Sequence, residues 1–321
     1  MYSTSTQKRE WTFSSQQEIL DIRKATNEKF RAKYEKVATE EENETFLTPE
    51  EEAILRNIVT ETGIRFAEDF RPVMWQSTRW IAFAYFKRFF LHHSTMEYSP
   101  KSVMMSCLFL AAKVDEFNIS IDDFVKNLRS GTAKSNAETI LSFEPQIMLK
   151  LRYHLTVHAP FRPFEGHLIE MKTCSLLGFD LEQVRPHAND FFKKALFGDV
   201  MLLYPPSQIA LAALKFSLKM LDKEDDLLKD QFLNKLLKID TWSPQSEDVL
   251  LCDQLISRVD EIIRCVLQGC EPVSKEANDA LQARMERWVT TFPELERKLN
   301  GLSSNFHKES SNSNFDFSDD D

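Results

Sequence analysis

A chain of 321 residues with 42% hydrophobic and 28% charged residues has material for a sizeable core and, by length, about two domains. Its 7 glycines, against about 22 in an average chain of this length, favour helices over sheets, and no G-x-x-x-x-G-K or G-x-G-x-x-G loop is present to cradle a phosphate. A net charge of −10 argues against general nucleic-acid binding, which calls for a basic face.

The opening residues, "MYSTSTQKRE", lack the apolar segment of a signal peptide, and no apolar run is long enough to span a bilayer. Five cysteines, Cys107, Cys174, Cys252, Cys265 and Cys270, form no C-x-x-C pair and read as reduced thiols in a cytosolic or nuclear setting. Seven histidines are scattered without the spacing of a zinc site, so no metal or other cofactor is expected. No serine elbow or other nucleophile motif appears, and an enzyme is not indicated.

In chain order, Ser15 followed by Glu18 has capping-box spacing and predicts a first helix through "QQEILDIRKATNEKFRAKY". The acidic stretch "EKVATEEENETFLTPEEE" reads as a linker, so residues 1–49 form an N-terminal helix plus linker. Five helices are predicted over 50–69, 74–92, 100–116, 121–129 and 136–154, with Pro72 and Pro100 at two of the starts. The proline-punctuated "HAPFRPFEG" divides a first domain, 50–159, from a second, 160–270. The second series runs over 163–177, 180–197, 205–221, 225–238 and 245–268. A final helix is predicted over 274–299, within a C-terminal segment 271–300, with a break near Pro293. The Ser/Asn/Asp-rich remainder, 301–321, is expected to be disordered.

Residues 85–114 and 191–220 align without a gap at an offset of 106. Tyr85 falls on Phe191, Phe86 on Phe192, Lys87 on Lys193, Arg88 on Lys194, Tyr98 on Tyr204, Pro100 on Pro206 and Lys113 on Lys219. The offset is too long for a solenoid repeat and points to two copies of one all-α domain of about a hundred residues.

Two tandem five-helix domains with an extra helix at each end resemble the cyclin fold. The motifs "KREWTFSS" (8–15), "YFKRFFL" (85–91), "MEYSP" (96–100), "AAKVDEFN" (111–118), "RPFEG" (162–166) and "YPPSQIALAA" (204–213), in this order, are similar to those of the cyclins that serve the CDK-activating kinase. The resemblance implies a non-catalytic regulatory subunit. It would bind and activate a cyclin-dependent kinase catalytic subunit in the nucleus. It would also join a RING-finger assembly factor and, through that trio, the core of transcription factor TFIIH. The transcription-factor-IIB type of cyclin-fold protein, which binds promoter DNA, is the alternative; it would favour a basic surface and a zinc ribbon, and neither is seen.

Lys113 ends a helix, "PKSVMMSCLFLAAKV", that is apolar almost all round. It has two readings. A lysine at a helix C-terminus interacts favourably with the macrodipole and can pair with Glu116 at i+3. By resemblance, Lys113 and Glu144 instead occupy the places of the Lys and Glu with which cyclins contact kinase backbone near its αC helix. Glu144 is a lone acid among Ile140, Leu141, Ile147 and Met148, and Pro145 behind it is expected to kink the helix and loosen its aim. At the same offset from Glu144 the second repeat has Leu250, so only the first domain is expected to keep the charged pair. "EEAIL" (51–55) departs from the Met-Arg-Ala-Ile-Leu run of cell-cycle cyclins at Glu51 and Glu52, which is expected to alter that docking surface. Ser318, ahead of three aspartates, is a candidate phosphorylation site.

Overall fold

Short polar side chains decide where the helices of this chain begin. The computed structural model describes residues 2–174, 178–223, 227–236, 247–270 and 274–312. Ser5 caps α1 (Thr6–Glu10) and Ser15 caps α2 (Gln16–Tyr34), where the Ser15 hydroxyl accepts from the Glu18 amide at 3.2 Å. Full capping boxes at Thr39/Glu42 and Thr48/Glu51 start α3 (Glu40–Asn43) and α4 (Pro49–Asp69). Each such cap stabilises its helix by about 1 kcal/mol. Helices α5 (Gln76–His92), α6 (Pro100–Val114), α7 (Ile121–Val125) and α8 (Ala133–Lys150) complete the first half.

The second half contains α9 (Phe161–Cys174), α10 (Val184–Lys194) entered by a 3₁₀ turn, α11 (Val200–Leu203) and α12 (Pro206–Met220). A π-helical turn (Leu227–Leu233), α13 (Asn234–Leu236), α14 (Glu247–Gln268) and α15 (Lys275–Asn312) follow. No strand occurs among the described residues. The repeat is visible in the helix limits themselves: α6 and α12 both have 15 residues, start on proline and lie 106 positions apart.

In α5 every residue from Trp80 to Leu91 is buried, Lys87 and Arg88 included. A helix hidden on all sides sits inside a bundle. Helix α6 packs along it, and α8 and α4 flank α6; in the second half α12 is held in the same way by α9, α10 and α14. One continuous apolar cluster runs through both halves. A smaller one joins the two ends of the chain: Phe30 and Tyr34 of α2, Phe46 and Leu47, Met96, and Leu281, Trp288 and Leu295 of α15. The Trp288 indole N–H donates to the Met96 carbonyl at 3.2 Å.

Several expectations need correcting. The acidic stretch 35–52 is more than a linker: it forms α3, and Phe46 and Leu47 are core residues. The hydrophobic pair inside a charged run outweighs the run's overall acidity. Pro72 starts no helix; it lies between α4 and α5, which begins at Gln76. The helix expected from 136 begins at Ala133, and α8 runs through Pro145 without ending there; Leu141, whose carbonyl faces the proline nitrogen, is exposed. Likewise α15 passes Pro293 unbroken and reaches Asn312, so residues 301–312 are helical where disorder is expected. Ser318 and residues 313–321 lie outside the described residues, as do parts of the helices expected over 163–177 and 225–238.

Candidate functional site

The C-terminal end of α6 is fastened to the start of α5. A carboxylate oxygen of Asp115 accepts hydrogen bonds from the hydroxyls of Ser77 (2.7 Å) and Thr78 (2.6 Å). The Phe117 amide closes back on the Ala112 carbonyl at 2.8 Å, and Glu116 takes a left-handed conformation, φ 58°, in this turn. These contacts fix the last turn of α6, and with it the Lys113 backbone.

From that turn the Lys113 side chain crosses to α8 and forms an ion pair with Glu144. Its ammonium also lies 4.9 Å from the centre of the Phe109 ring, one turn back, in a cation–π arrangement. The pair is asymmetric. The Glu144 side chain is 9% exposed and that of Lys113 46%. Ile140 and Ile147 beside Glu144 are buried, while Leu141 and Leu149 on α8 and Val114 beside Lys113 stand out into solvent. The result is a charged pair, one member sunk and one raised, with exposed Leu141 one turn from Glu144 and exposed Val114 next to Lys113. Such a patch can offer ammonium N–H donors and a carboxylate acceptor to a partner's backbone.

Both residues singled out for this site are thus in direct contact, although 31 positions separate them in sequence. The alternative partner for Lys113 does not engage: no Lys113–Glu116 ion pair forms among the described residues, because the left-handed turn takes Glu116 off the helical path. In the second repeat, Lys219 and Leu250 are both exposed, and Lys219 has no ion pair among the described residues. Glu51 and Glu52 are not surface charges of a docking face. Glu51 closes the α4 capping box and pairs with Arg284 of α15 at 3.2 Å. Glu52 is 2% exposed and accepts from the Ser94 hydroxyl and the Thr95 amide. Burial pushes its carboxyl upward, against the pull of Ser94 and Arg56.

Sequence reasoning missed a second group of charges, at the seam between the halves. Arg23 of α2 donates two hydrogen bonds to Asp199, at 2.6 and 2.7 Å, and Gln16 adds a third at 3.1 Å. Lys87 donates to the Phe197 carbonyl at 2.8 Å. Burial pushes the Lys87 amine down to about 8, although Asp199 draws it upward. Burial alone would raise the Asp199 carboxyl, but Arg23 and Lys87 together hold it well below the usual carboxylate range. The available signal was the Lys-Arg pair inside the aromatic run "YFKRFF", since charges among aromatics on a buried helix need partners. Around them, the Trp11 indole donates to His154 at 3.2 Å, with Arg88 and Arg152 over its ring. Among the described residues there is no group of three potential metal-ligating side chains and no helix long and apolar enough to cross a membrane.

Comparison with known proteins shows what the chain as a whole is similar to. The family description "Cyclin, N-terminal domain" matches residues 18–156, and "Cyclin C-terminal domain" matches residues 159–267. Cyclin-H of Xenopus laevis is 40% identical over 217 residues, covering 67% of this chain and 67% of that protein. Cyclin mcs2 of Schizosaccharomyces pombe is 31% identical over 227 residues, covering 66% of this chain and 68% of that protein. Among solved structures, a chain of the yeast TFIIK (Kin28/Ccl1/Tfb3) complex superposes with a TM-score of 0.63 at 24% identity, covering 83% of this chain and 100% of that one. A chain of the CAK complex of Chaetomium thermophilum bound to ATP-γ-S superposes with a TM-score of 0.68 at 23% identity, covering 100% of this chain and 98% of that one. At such identities the superpositions speak for the fold alone.

Proposed function

The chain belongs to the cyclin family, and from that premise we propose that it is the non-catalytic regulatory subunit of a CDK-activating kinase. It binds a cyclin-dependent kinase catalytic subunit through the Lys113–Glu144 patch. The observation that carries this reading is the sunken Glu144 carboxylate paired with the raised Lys113 ammonium, with Leu141 and Val114 exposed beside them. The relatives' complexes support the choice of partners: the yeast structure holds Kin28 and Tfb3 beside Ccl1. By that analogy a RING-finger assembly factor is the second partner. Work in the nucleus within TFIIH follows from the same reading.

Mechanistically, the first repeat presses on the kinase αC helix and stabilises the arrangement in which the kinase's own Lys–Glu ion pair forms, as phosphoryl transfer requires. Lys113 donates to carbonyls of the facing segment and Glu144 accepts from its N–H groups. Activation requires tighter binding to the active kinase arrangement than to the inactive one; equal affinity would shift nothing. Promoter binding of the transcription-factor-IIB type is the weaker reading, since the acidic chain offers no broad basic face.

The test is reconstitution. The purified protein is added to the isolated catalytic subunit of a CDK-activating kinase, and phosphotransfer to a second kinase is measured. Stimulation is expected. No stimulation, together with tight, salt-sensitive binding to DNA, would reverse the assignment.

A further inference from the structure

A cleft of about 890 Å³ opens between the two halves, walled by α2, α4, α5, the 197–204 segment and α14. Five cations line it, Arg23, Arg56, Lys87, Arg258 and Arg264, against two carboxylates, Asp199 and Glu261. In a chain of net charge −10 this is a local inversion of sign. Asp199 is already engaged by Arg23 and Gln16.

Arg56 is the telling residue. It is 7% exposed, lines the cleft, and makes no hydrogen bond among the described residues. Its nearest carboxylate oxygen, on Glu52, is 3.6 Å away, beyond hydrogen-bond reach, and the other oxygen of Glu52 is occupied by Ser94 and Thr95. A guanidinium keeps its charge under all ordinary conditions and carries five donors. Its nitrogens are open to the cleft, where an entering oxyanion can pair with them. Lys87, on the adjacent wall, spends one of its three donors on Phe197.

We propose that this cleft binds a phosphorylated side chain carried by a partner peptide. A phosphate ester brings close to two negative charges and three acceptor oxygens, matching a guanidinium fork and an ammonium. The cleft is much larger than one phosphate and lies within the usual range for ligand sites. Leu20, Phe86, Leu203 and Tyr204 give it apolar walls for the neighbouring peptide residues. Arg258 and Arg264 stand exposed at its rim on α14, where they can steer an anion inward. The two carboxylates disfavour a polyanion such as nucleic acid, but leave room for a single oxyanion beside Arg56.

The experiment uses the full chain and a fluorescein-labelled degenerate peptide library centred on phosphoserine, with its unphosphorylated twin, inorganic phosphate and a single-stranded oligonucleotide as competitors. Anisotropy should report binding to the phosphorylated library about tenfold tighter than to the twin, the scale of one charge-assisted hydrogen-bond set. Arg56→Gln should lose about that factor, while Arg65→Gln, exposed on the same helix outside the cleft, should bind normally. Should Arg56→Gln melt early, Arg258→Gln and Arg264→Gln, both on the surface, serve in its place and should each weaken binding about threefold. Equal binding of the two libraries, or full binding by Arg56→Gln or by both rim variants, overturns the proposal. Inorganic phosphate competing as strongly, residue for residue, as the peptide would overturn the peptide occupant, and tighter binding of the oligonucleotide would replace it by nucleic acid.

Discussion

The two repeats share a hydrophobic skeleton and differ in what lies over it. Tyr85 and Phe191 are both fully buried, Phe86 and Phe192 nearly so, and α6 and α12 begin on equivalent prolines. At the charged positions between these the repeats part. Lys87 is buried at the seam and Arg88 is buried against Trp11 and the His154 carbonyl, whereas Lys193 and Lys194 form surface pairs with Glu68 and Asp190. Lys113 has Glu144; Lys219 stands opposite no carboxylate among the described residues. Both ends of the chain also lie on the first repeat, α2 against α5 and α4, and α15 against α4. Apolar spacing thus reproduces the fold in both repeats, while a few charged positions and the cover they receive make the two surfaces differ.

The strongest way to break the comparison is to strip the cover. Deleting residues 1–36 removes Trp11, Ile19, Phe30 and Tyr34 from the core and Arg23 from Asp199. Thermal unfolding followed by circular dichroism should show a larger drop in Tm than any single substitution below. Deleting 303–321, which follows the packed residues Trp288, Leu295 and Leu299, should leave it unchanged. An equal Tm for the first deletion would mean that the first repeat stands alone as well as the second.

Next in size is the seam. Asp199→Asn leaves Arg23 buried without its anion and should cost about 3–5 kcal/mol in urea unfolding. Lys193→Ala, which breaks only a surface pair at the position equivalent to Lys87, should cost less than about 1 kcal/mol. The acid limb sharpens this contrast. The folded-state Asp199 carboxyl lies below its unfolded value. Its contribution is therefore complete above the unfolded pKa of about 4 and is lost as pH falls below it. Wild type should lose stability more steeply than Asp199→Asn between about pH 5 and pH 2; parallel curves would remove Asp199 from the account.

The kinase site comes third. Lys113→Ala and Glu144→Ala should each weaken binding to the catalytic subunit by about 2–5 kcal/mol, and the double variant by less than the sum. Lys219→Ala, the equivalent position, should bind normally. Titration calorimetry decides it: equal losses at Lys113 and Lys219 would mean that the repeats are not specialised. The smallest effect is on folding. Lys113→Ala leaves a buried carboxylate behind and should cost about 1 kcal/mol. Glu144→Ala leaves an ammonium already half in water, and Lys219→Ala touches nothing, so both should stay within about 0.5 kcal/mol. A reversed order in the melting curves would contradict the asymmetric burial of the pair.

What the sequence determined by itself is what local chemistry and periodic burial can encode. Ser15, Thr48, Pro100 and Pro206 mark helix starts through their own hydrogen bonds or fixed φ, and the offset of 106 announces the duplication. The all-α class was legible in the helical periodicity, and Lys113 and Glu144 stood out because each is a charge among apolar neighbours and resembles a family position. Only the tertiary structure decided the rest. Phe46 and Leu47 look like linker residues until α15 arrives from the far end of the chain to cover them. Glu52 reads as a surface acid until Ser94 and Thr95 fold over it. The seam of Arg23, Lys87 and Asp199 spans 176 positions from first to last, and no local pattern couples residues so far apart. Burial is a property of what packs on a residue, and for these charges the packing partner comes from another part of the chain.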